Sequence, residues 1–209
     1  MRVQTLFNKI IIGAVSIISL LYMTPGTAVS QELDSIEATE GEVFFTLESA
    51  MKNPDSVFVL ILKRERLKEF PMEIFEFVNL EELDLSKNKI ETIPKEISGL
   101  KNLQIFNISK NKLTRIPPEI GSLTKLKELI IFQNEIPFLP PEIGLLTDLE
   151  FLDLWGNEIG RLPVEISRLR KLATLDLRVI EINDDEQKTM KDLLPNTKIH
   201  FSRSCNCGG

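Results

Sequence analysis

A 23-residue period runs through the middle of this chain, from residue 57 to residue 171, without insertion or deletion. One copy shows the pattern in full: Leu80, Leu83, Leu85, Asn88, Ile90, Ile93, Pro94, Ile97 and Leu100. The next three copies keep these residue types at the same offsets, whereas the copy before has Glu65 at the asparagine position. Such a period predicts a solenoid, in which each unit buries its apolar side against its neighbours.

Alternating leucines in each copy predict a short β-strand. Leu83 and Leu85 are two residues apart, so both side chains point to one face. Strands of successive copies are expected to form a parallel sheet, which requires a return path after each strand. Pro94 starts that path, a short helical or irregular segment with Ile97 facing inward. The strands are expected near residues 58–62, 82–85, 104–108, 128–131, 151–154 and 174–177.

The pattern L-x-x-L-x-L-x-x-N-x-[LI]-x-x-[LI]-P-x-x-I-x-x-L resembles the leucine-rich repeat, over about six units. The resemblance implies an α/β fold: a leucine-rich repeat solenoid with a curved parallel sheet and a cap at each end. It also implies protein–protein recognition without enzymatic activity. The regular L-P-x-x-I units and the N-terminal segment resemble those of exported bacterial members.

Four asparagines recur where the strands end: Asn88, Asn111, Asn134 and Asn157. A side-chain amide carries both donors and an acceptor, so it can bond backbone groups of its own turn and of the adjacent turn. We therefore expect a structural ladder of asparagines that takes no part in binding.

The first thirty residues differ from the repeats. Arg2 and Lys9 precede an apolar run from Ile10 to Leu21, and Ala28 and Ser30 fit a small-residue cleavage site. The run has twelve residues, short of the roughly 20 needed to span a bilayer. Residues 1–30 are therefore predicted to be a cleaved secretory signal peptide, with no membrane insertion afterwards.

A solenoid needs a cap at each end, because its core would otherwise be exposed. Residues 31–56 are expected to cap the repeats of residues 57–182 with a helix. The apolar residues at helical spacing are Val43, Leu47, Ala50 and Met51.

The C-terminal cap is expected in residues 183–204. Asp184 or Asp185 is the predicted N-cap of a helix that buries Met190, and residues 198–201 are predicted to form a last edge strand.

Two cysteines, Cys205 and Cys207, lie in a tail of residues 205–209. Three interpretations remain open: a flexible tail, a local or intermolecular disulfide, and a soft-metal site with His200. Neither a metal nor any other cofactor is required by the sequence.

The net charge and the sequence motifs limit the classes of function that this chain can have. Removing the two basic residues of the signal peptide leaves 23 basic and 31 acidic residues, a net charge of −8. That balance disfavours nucleic acid and anionic membranes as partners. No phosphate loop, nucleophile elbow or zinc-protease motif occurs, so no catalytic residue is predicted.

The residues between the core leucines are predicted to lie on the concave face of the sheet. In the fourth and fifth units this face carries apolar side chains where polar ones are expected. We call this set, with its apolar neighbour from the third unit, the aromatic patch: Ile105, Ile130, Phe132, Phe151 and Trp155. Its predicted polar rim includes Asp153, Asp176 and Arg178. Clustered exposed aromatic residues are typical of protein interfaces, so these positions are candidates for partner binding.

The favoured hypothesis is a secreted, non-enzymatic module that binds a protein or peptide on its concave face. The alternative is a cell-envelope structural protein or adhesin whose copies are linked by the tail cysteines. Periplasm, cell surface and external medium are all compatible with export, and the sequence leaves the oligomeric state open.

Overall fold

A computed structural model describes residues 42–180 and 182–202 of the 209-residue chain. The predicted signal peptide, the first part of the N-terminal cap and the cysteine tail lie outside the described residues. Within the described ranges, no helix is long and apolar enough to cross a bilayer.

Within these ranges, eight strands form one parallel sheet in chain order. The strands are β1 Glu42–Phe44, β2 Val57–Ile61, β3 Glu82–Asp84, β4 Ile105–Asn107, β5 Glu128–Ile130, β6 Phe151–Asp153, β7 Thr174–Leu177 and β8 Lys198–Phe201. From β2 to β7 the register advances by one repeat per strand, as in the pairs Leu60–Leu83 and Leu83–Phe106. The parallel sheet and its six repeat strands are therefore confirmed; β3 to β6 are shorter than predicted, β2 starts and ends one residue earlier, and β7 has the predicted bounds. The edge strand β8 is also confirmed.

Each return path between β2 and β7 contains a five-residue 3₁₀ segment. These are Met72–Glu76, Lys95–Gly99, Pro118–Ser122, Pro141–Leu145 and Val164–Arg168. A 3₁₀ helix has three residues per turn, so Ile97 and Leu100 lie on the same side and both are buried. Pro94 precedes the turn in extended conformation, with φ −73° and ψ 157°, so its predicted place inside the turn is wrong by one residue.

The core fills the space between the strands and the return segments. One column comes from the strand centres: Leu60, Leu83, Phe106, Leu129, Leu152 and Leu175. A facing column comes from the 3₁₀ segments: Ile74, Ile97, Ile120, Ile143 and Ile166. All of these side chains are fully buried. Because apolar burial is the dominant favourable term in folding, the stacked columns account for most of the stability.

The asparagine amides connect neighbouring turns. Asn111 Nδ2 donates to Ile108 O of its own turn and to Leu85 O of the preceding unit, both at 3.0 Å. Its Oδ1 accepts from the Ile90 N–H at 2.9 Å. Asn88, Asn134 and Asn157 repeat this arrangement at their own turns. Each amide therefore satisfies three backbone groups in two adjacent units.

The residue before the asparagine position adopts a left-handed conformation in each of these units. The φ values are 60° at Lys87, 56° at Lys110, 51° at Gln133, 67° at Gly156 and 58° at Val179. Glycine adopts this region without steric cost, whereas a β-branched residue rarely does. In the sixth unit Val179 precedes Ile180 instead of asparagine, and the Val179 N–H donates to Ser202 Oγ. That unit thus lacks the amide that bridges the earlier turns.

The N-terminal cap differs from the prediction. Val43 lies on β1, which pairs with β2, and the helix α1 spans only Leu47–Ala50. Thr46 caps α1 by accepting from the Ser49 N–H. Pairing with β2 satisfies backbone groups that would otherwise be left at a sheet edge, and this outweighs the helical spacing of the apolar residues.

The C-terminal cap contains helix α2, Asp184–Leu193, whose N-cap is Asn183. Its Oδ1 accepts from the Glu186 N–H at 2.9 Å. The predicted N-cap, Asp184 or Asp185, is therefore wrong, because both aspartates already lie in the first helical turn. Met190 is buried, as predicted.

Replacing Asn111 with alanine is expected to lower the free energy of unfolding by about 1–3 kcal/mol, because buried backbone groups lose their partners. Urea unfolding followed by circular dichroism measures the change. Asn196→Ala, at an exposed turn residue, is the matched control and should change the stability little. Equal stability of both variants would contradict a structural role for the amide.

Candidate functional site

The concave face is built from three columns of side chains that flank the buried strand centres. The register places Ile105, Glu128 and Phe151 side by side on adjacent strands. The next column contains Ile130 and then Asp153. The third column lies just beyond the ends of the strands and includes Phe132 and Trp155. The hydrophobic core is assembled from other residues, so these columns are not needed to fill it.

Phe132 and Trp155 are in contact at the centre of the aromatic patch. Their ring centroids lie 5.4 Å apart with an interplanar angle of 44°, so the rings are tilted and not stacked in parallel. Both side chains are partly exposed, as are Ile105 and Phe151. Tilted aromatic pairs at this distance have a favourable geometry, which holds the two rings as one surface.

Ile130 is buried, with 5% of its surface exposed, and the prediction that it is exposed is wrong. Its register neighbours are Asn107 on β4 and Asp153 on β6. Ile130 lies on the concave side yet outside the hydrophobic core. Ile130 therefore offers little surface to a partner.

Lys110 was not predicted as part of this site. Its Nζ lies 5.6 Å from the centroid of the Phe132 ring, within the range of a cation–π interaction. The Lys110 N–H also donates to Phe132 O, at 2.8 Å. The only sequence signal is its place before Asn111, at the end of the neighbouring strand. The Phe132 ring is therefore already in contact with one cation.

An Asp or Asn near the strand end closes the turn in several units. Its Oδ1 accepts the backbone N–H two residues later: 2.8 Å for Asp84, 3.1 Å for Asn107, and 3.0 Å for both Asp153 and Asp176. Asn107 forms this bond without a charge. The bond is therefore made by an amide as well as by a carboxylate, and the fourth unit has Ile130 at this position and forms its turn without it.

Two carboxylates beside the patch are hard to ionise. Burial raises the pKa of Asp153 to about 6; Asp176 adds to the rise, while the Trp155 N–H and Arg178 oppose it. Burial also raises the pKa of Glu128, and the nearby Glu150 contributes in the same direction. In the described part of the chain, neither Asp153 nor Glu128 forms an ion pair.

Asp176, unlike Asp153 and Glu128, forms an ion pair, and its partner is Arg178. Arg178 Nη2 donates to Asp176 Oδ2 at 2.6 Å, and Nε donates to both carboxylate oxygens at 3.0 Å. These hydrogen bonds raise the pKa of Arg178. The Arg178 guanidinium is thus hydrogen-bonded to Asp176, and it acts on Asp153 only through its charge.

A second acidic region lies on β3, in the second unit, where Glu82 pairs in register with Ile105 of the patch. Burial raises the pKa of Glu82 to about 7, and Asp84 and Glu128 add to the rise. Asp84 Oδ2 and Ser86 Oγ are buried without a hydrogen-bond partner among the described residues. Lys63 Nζ lies 4.0 Å from Asp84 Oδ2. Polar and charged side chains are thus buried on the concave face itself.

Glu82 makes the stability depend on pH. Its folded-state pKa, about 7, is above the ordinary value of 4.5, so the folded state binds the proton more tightly. The stabilising contribution of protonation is complete below pH 4.5 and is lost as the pH rises through 7. Glu82→Gln is therefore expected to raise the free energy of unfolding by about 1–3 kcal/mol at pH 8 and by little at pH 4.5.

Urea unfolding of both proteins at the two pH values measures this difference. Glu81→Gln is the control, because the neighbouring Glu81 is exposed and loses the same charge. A gain that is equal at both pH values, or equal in both variants, would contradict the assigned cause.

Family models of the leucine-rich repeat match this sequence. One matches residues 56–113 and again 79–136, and a second matches residues 148–169. The matches fall on the units that form β2 to β6. No match was found among curated proteins.

Two solved structures are similar to the chain. A leucine-rich repeat protein of Leptospira interrogans aligns with a TM-score of 0.65 and 30% identity, over 77% of this chain and 47% of that one. This chain therefore spans about half the length of that protein. The leucine-rich repeat ectodomain of the plant membrane receptor kinase GASSHO1/SCHENGEN3 from Arabidopsis thaliana aligns with a TM-score of 0.53 and 24% identity, over 68% of this chain and 20% of that one.

At 24% identity the plant receptor bears on the fold alone. The family models, however, match the same units whose register builds the sheet, and the bacterial structure aligns over most of the chain. This chain is a leucine-rich repeat protein.

Proposed function

We propose that this protein is exported and binds a protein or peptide on its concave face, at the aromatic patch, without catalysing a reaction. The observation that carries the proposal is the contacting, partly exposed ring pair of Phe132 and Trp155. Leucine-rich repeat proteins are commonly protein–protein interaction modules. The Arabidopsis ectodomain was solved in complex with Casparian strip integrity factor 2.

The patch has the composition of a binding surface. Aromatic residues are enriched at the centres of protein interfaces, and polar residues surround them. Here Phe151 and Ile105 border the ring pair, while Asp153, Asp176 and Arg178 supply charged groups. A partner that covered the rings would remove apolar surface from water, which is the dominant favourable term in association.

The rings are available for binding because the fold does not use them. Strand centres and return segments supply the core. The turns are closed by asparagine amides and by the Asx oxygens. Changing Phe132 and Trp155 should therefore leave the solenoid folded, which makes the proposal testable.

The double variant Phe132→Ser/Trp155→Ser is expected to lose at least about 2 kcal/mol of binding free energy, roughly thirtyfold in affinity. Random twelve-residue peptides displayed on phage are selected on the full-length protein, and the affinities of the selected peptides are measured by calorimetry. The loss is expected because both anchor rings are removed from the contact.

The matched control is Phe45→Ser/Phe138→Ser, which removes two phenylalanines that are 58% and 60% exposed and lie outside the three columns. It should bind the selected peptides as the unchanged protein does. Full affinity in the Phe132→Ser/Trp155→Ser variant, or loss of its folded circular dichroism spectrum, would refute the proposed role of the patch.

Export is expected to remove the first thirty residues, because residues 1–30 have the sequence of a signal peptide. Intact mass and N-terminal sequencing of the protein from its native host should show a chain that starts at or near Gln31. Full-length chain in washed membranes, starting at Met1, would contradict cleavage.

A further inference from the structure

The carboxylates at the aromatic patch carry a negative charge that the fold does not require. Asp153 Oδ1 closes its turn by accepting the Trp155 N–H. Asn107 closes the corresponding turn of the third unit with an uncharged amide. A neutral asparagine would therefore serve the structure at position 153, and ionising Asp153 in this half-buried site costs free energy.

The positive charges nearby offset this cost only in part. Arg178 is held by two-pronged hydrogen bonding to Asp176. Lys110 Nζ lies over Phe132. Glu128, the second carboxylate beside the patch, lies between Ile105 and Phe151 and also forms no ion pair in the described residues. The patch therefore combines two carboxylates that form no ion pair in the described residues with partly exposed aromatic rings.

The ring pair is suited to a cation. Phe132 already accepts the Lys110 ammonium group at 5.6 Å. Tryptophan is the best cation–π acceptor among side chains, and no cation of the described residues lies over Trp155. Asp153 is two residues before Trp155, and its Oδ1 accepts the Trp155 N–H at 3.0 Å, so the carboxylate lies next to the residue that carries the ring. An arginine or lysine placed over Trp155 would thus be within reach of the Asp153 carboxylate.

We infer that the partner is a peptide segment that places an arginine or lysine side chain over Trp155, with Asp153 as its counter-charge and Glu128 as a second negative charge farther along the patch. This inference rests on the proposed function and specifies the chemistry of its partner. An apolar partner would cover the two carboxylates without pairing them, which is unfavourable. An acidic partner would meet like charges at both ends of the contact.

The pH dependence of binding follows from the same arrangement. A bound cation favours the ionised form of Asp153, whose pKa in the free protein is raised by burial to about 6. For a peptide without histidine or acidic groups, affinity should be highest above pH 7 and should fall as the pH is lowered through 6.

The experiment selects random twelve-residue peptides on phage with the full-length protein at pH 7.5. The selected peptides should be enriched in arginine or lysine next to an apolar residue. Their affinities are then measured by calorimetry, and the fluorescence of Trp155, the only tryptophan in the chain, reports the contact in the proteins that retain it. The test variant is Glu128→Gln/Asp153→Asn, in which the new asparagine retains the oxygen that closes the turn.

The matched control is Glu135→Gln/Glu158→Gln. It removes two exposed carboxylates from the same two units, outside the three columns. The test variant should bind about tenfold more weakly than the unchanged protein and lose most of its pH dependence, whereas the control should retain both affinity and pH dependence.

The outcomes separate this inference from the proposed function. Peptides that require Phe132 and Trp155 yet show no excess of basic residues, or bind both carboxylate variants equally, overturn the inference and leave the proposed function standing. Enrichment of acidic peptides also overturns it. Selected peptides that bind the Phe132→Ser/Trp155→Ser variant at full affinity overturn both.

Discussion

The side-chain amide at the end of each strand is the interaction on which the regular stacking depends. Parallel strands leave unpaired backbone groups where the chain turns, and a buried unpaired group is costly. Asn111 satisfies carbonyls in its own unit and in the preceding one with a single Nδ2. Because its reach is fixed, an insertion between Ile108 and Asn111 would break the bridge. This geometry fixes the spacing between the strand and the asparagine in each of these units.

The repeat pattern was sufficient to predict the sheet, since each strand of the array repeats the same sequence pattern and the same local structure. The two caps are different, because each cap sequence occurs once in the chain and has no second copy for comparison. Val43 fitted a helical spacing, yet pairing with β2 placed it on a strand. Asp184 or Asp185 was the predicted N-cap, yet Asn183, one residue earlier, has the extended backbone and caps the helix.

For the candidate site, the period predicted which residues share a face but not how deeply each one is buried. The burial of Ile130 depends on the sizes of side chains on two neighbouring strands. The raised pKa of Asp153 has the same origin, since both strand and cross-strand neighbours remove water from it. Lys110 was missed because it lies in a turn, and only the conformation of its long side chain brings it to Phe132.

The sixth turn differs from the turns of the second to fifth units. There Val179 takes up a left-handed conformation that β-branched residues rarely adopt, and Ile180 has no amide with which to reach back to the fifth unit. Ser202, from beyond β8, bonds to the Val179 backbone instead. The sixth repeat therefore depends on the C-terminal cap for a contact that the earlier repeats supply with their own asparagines.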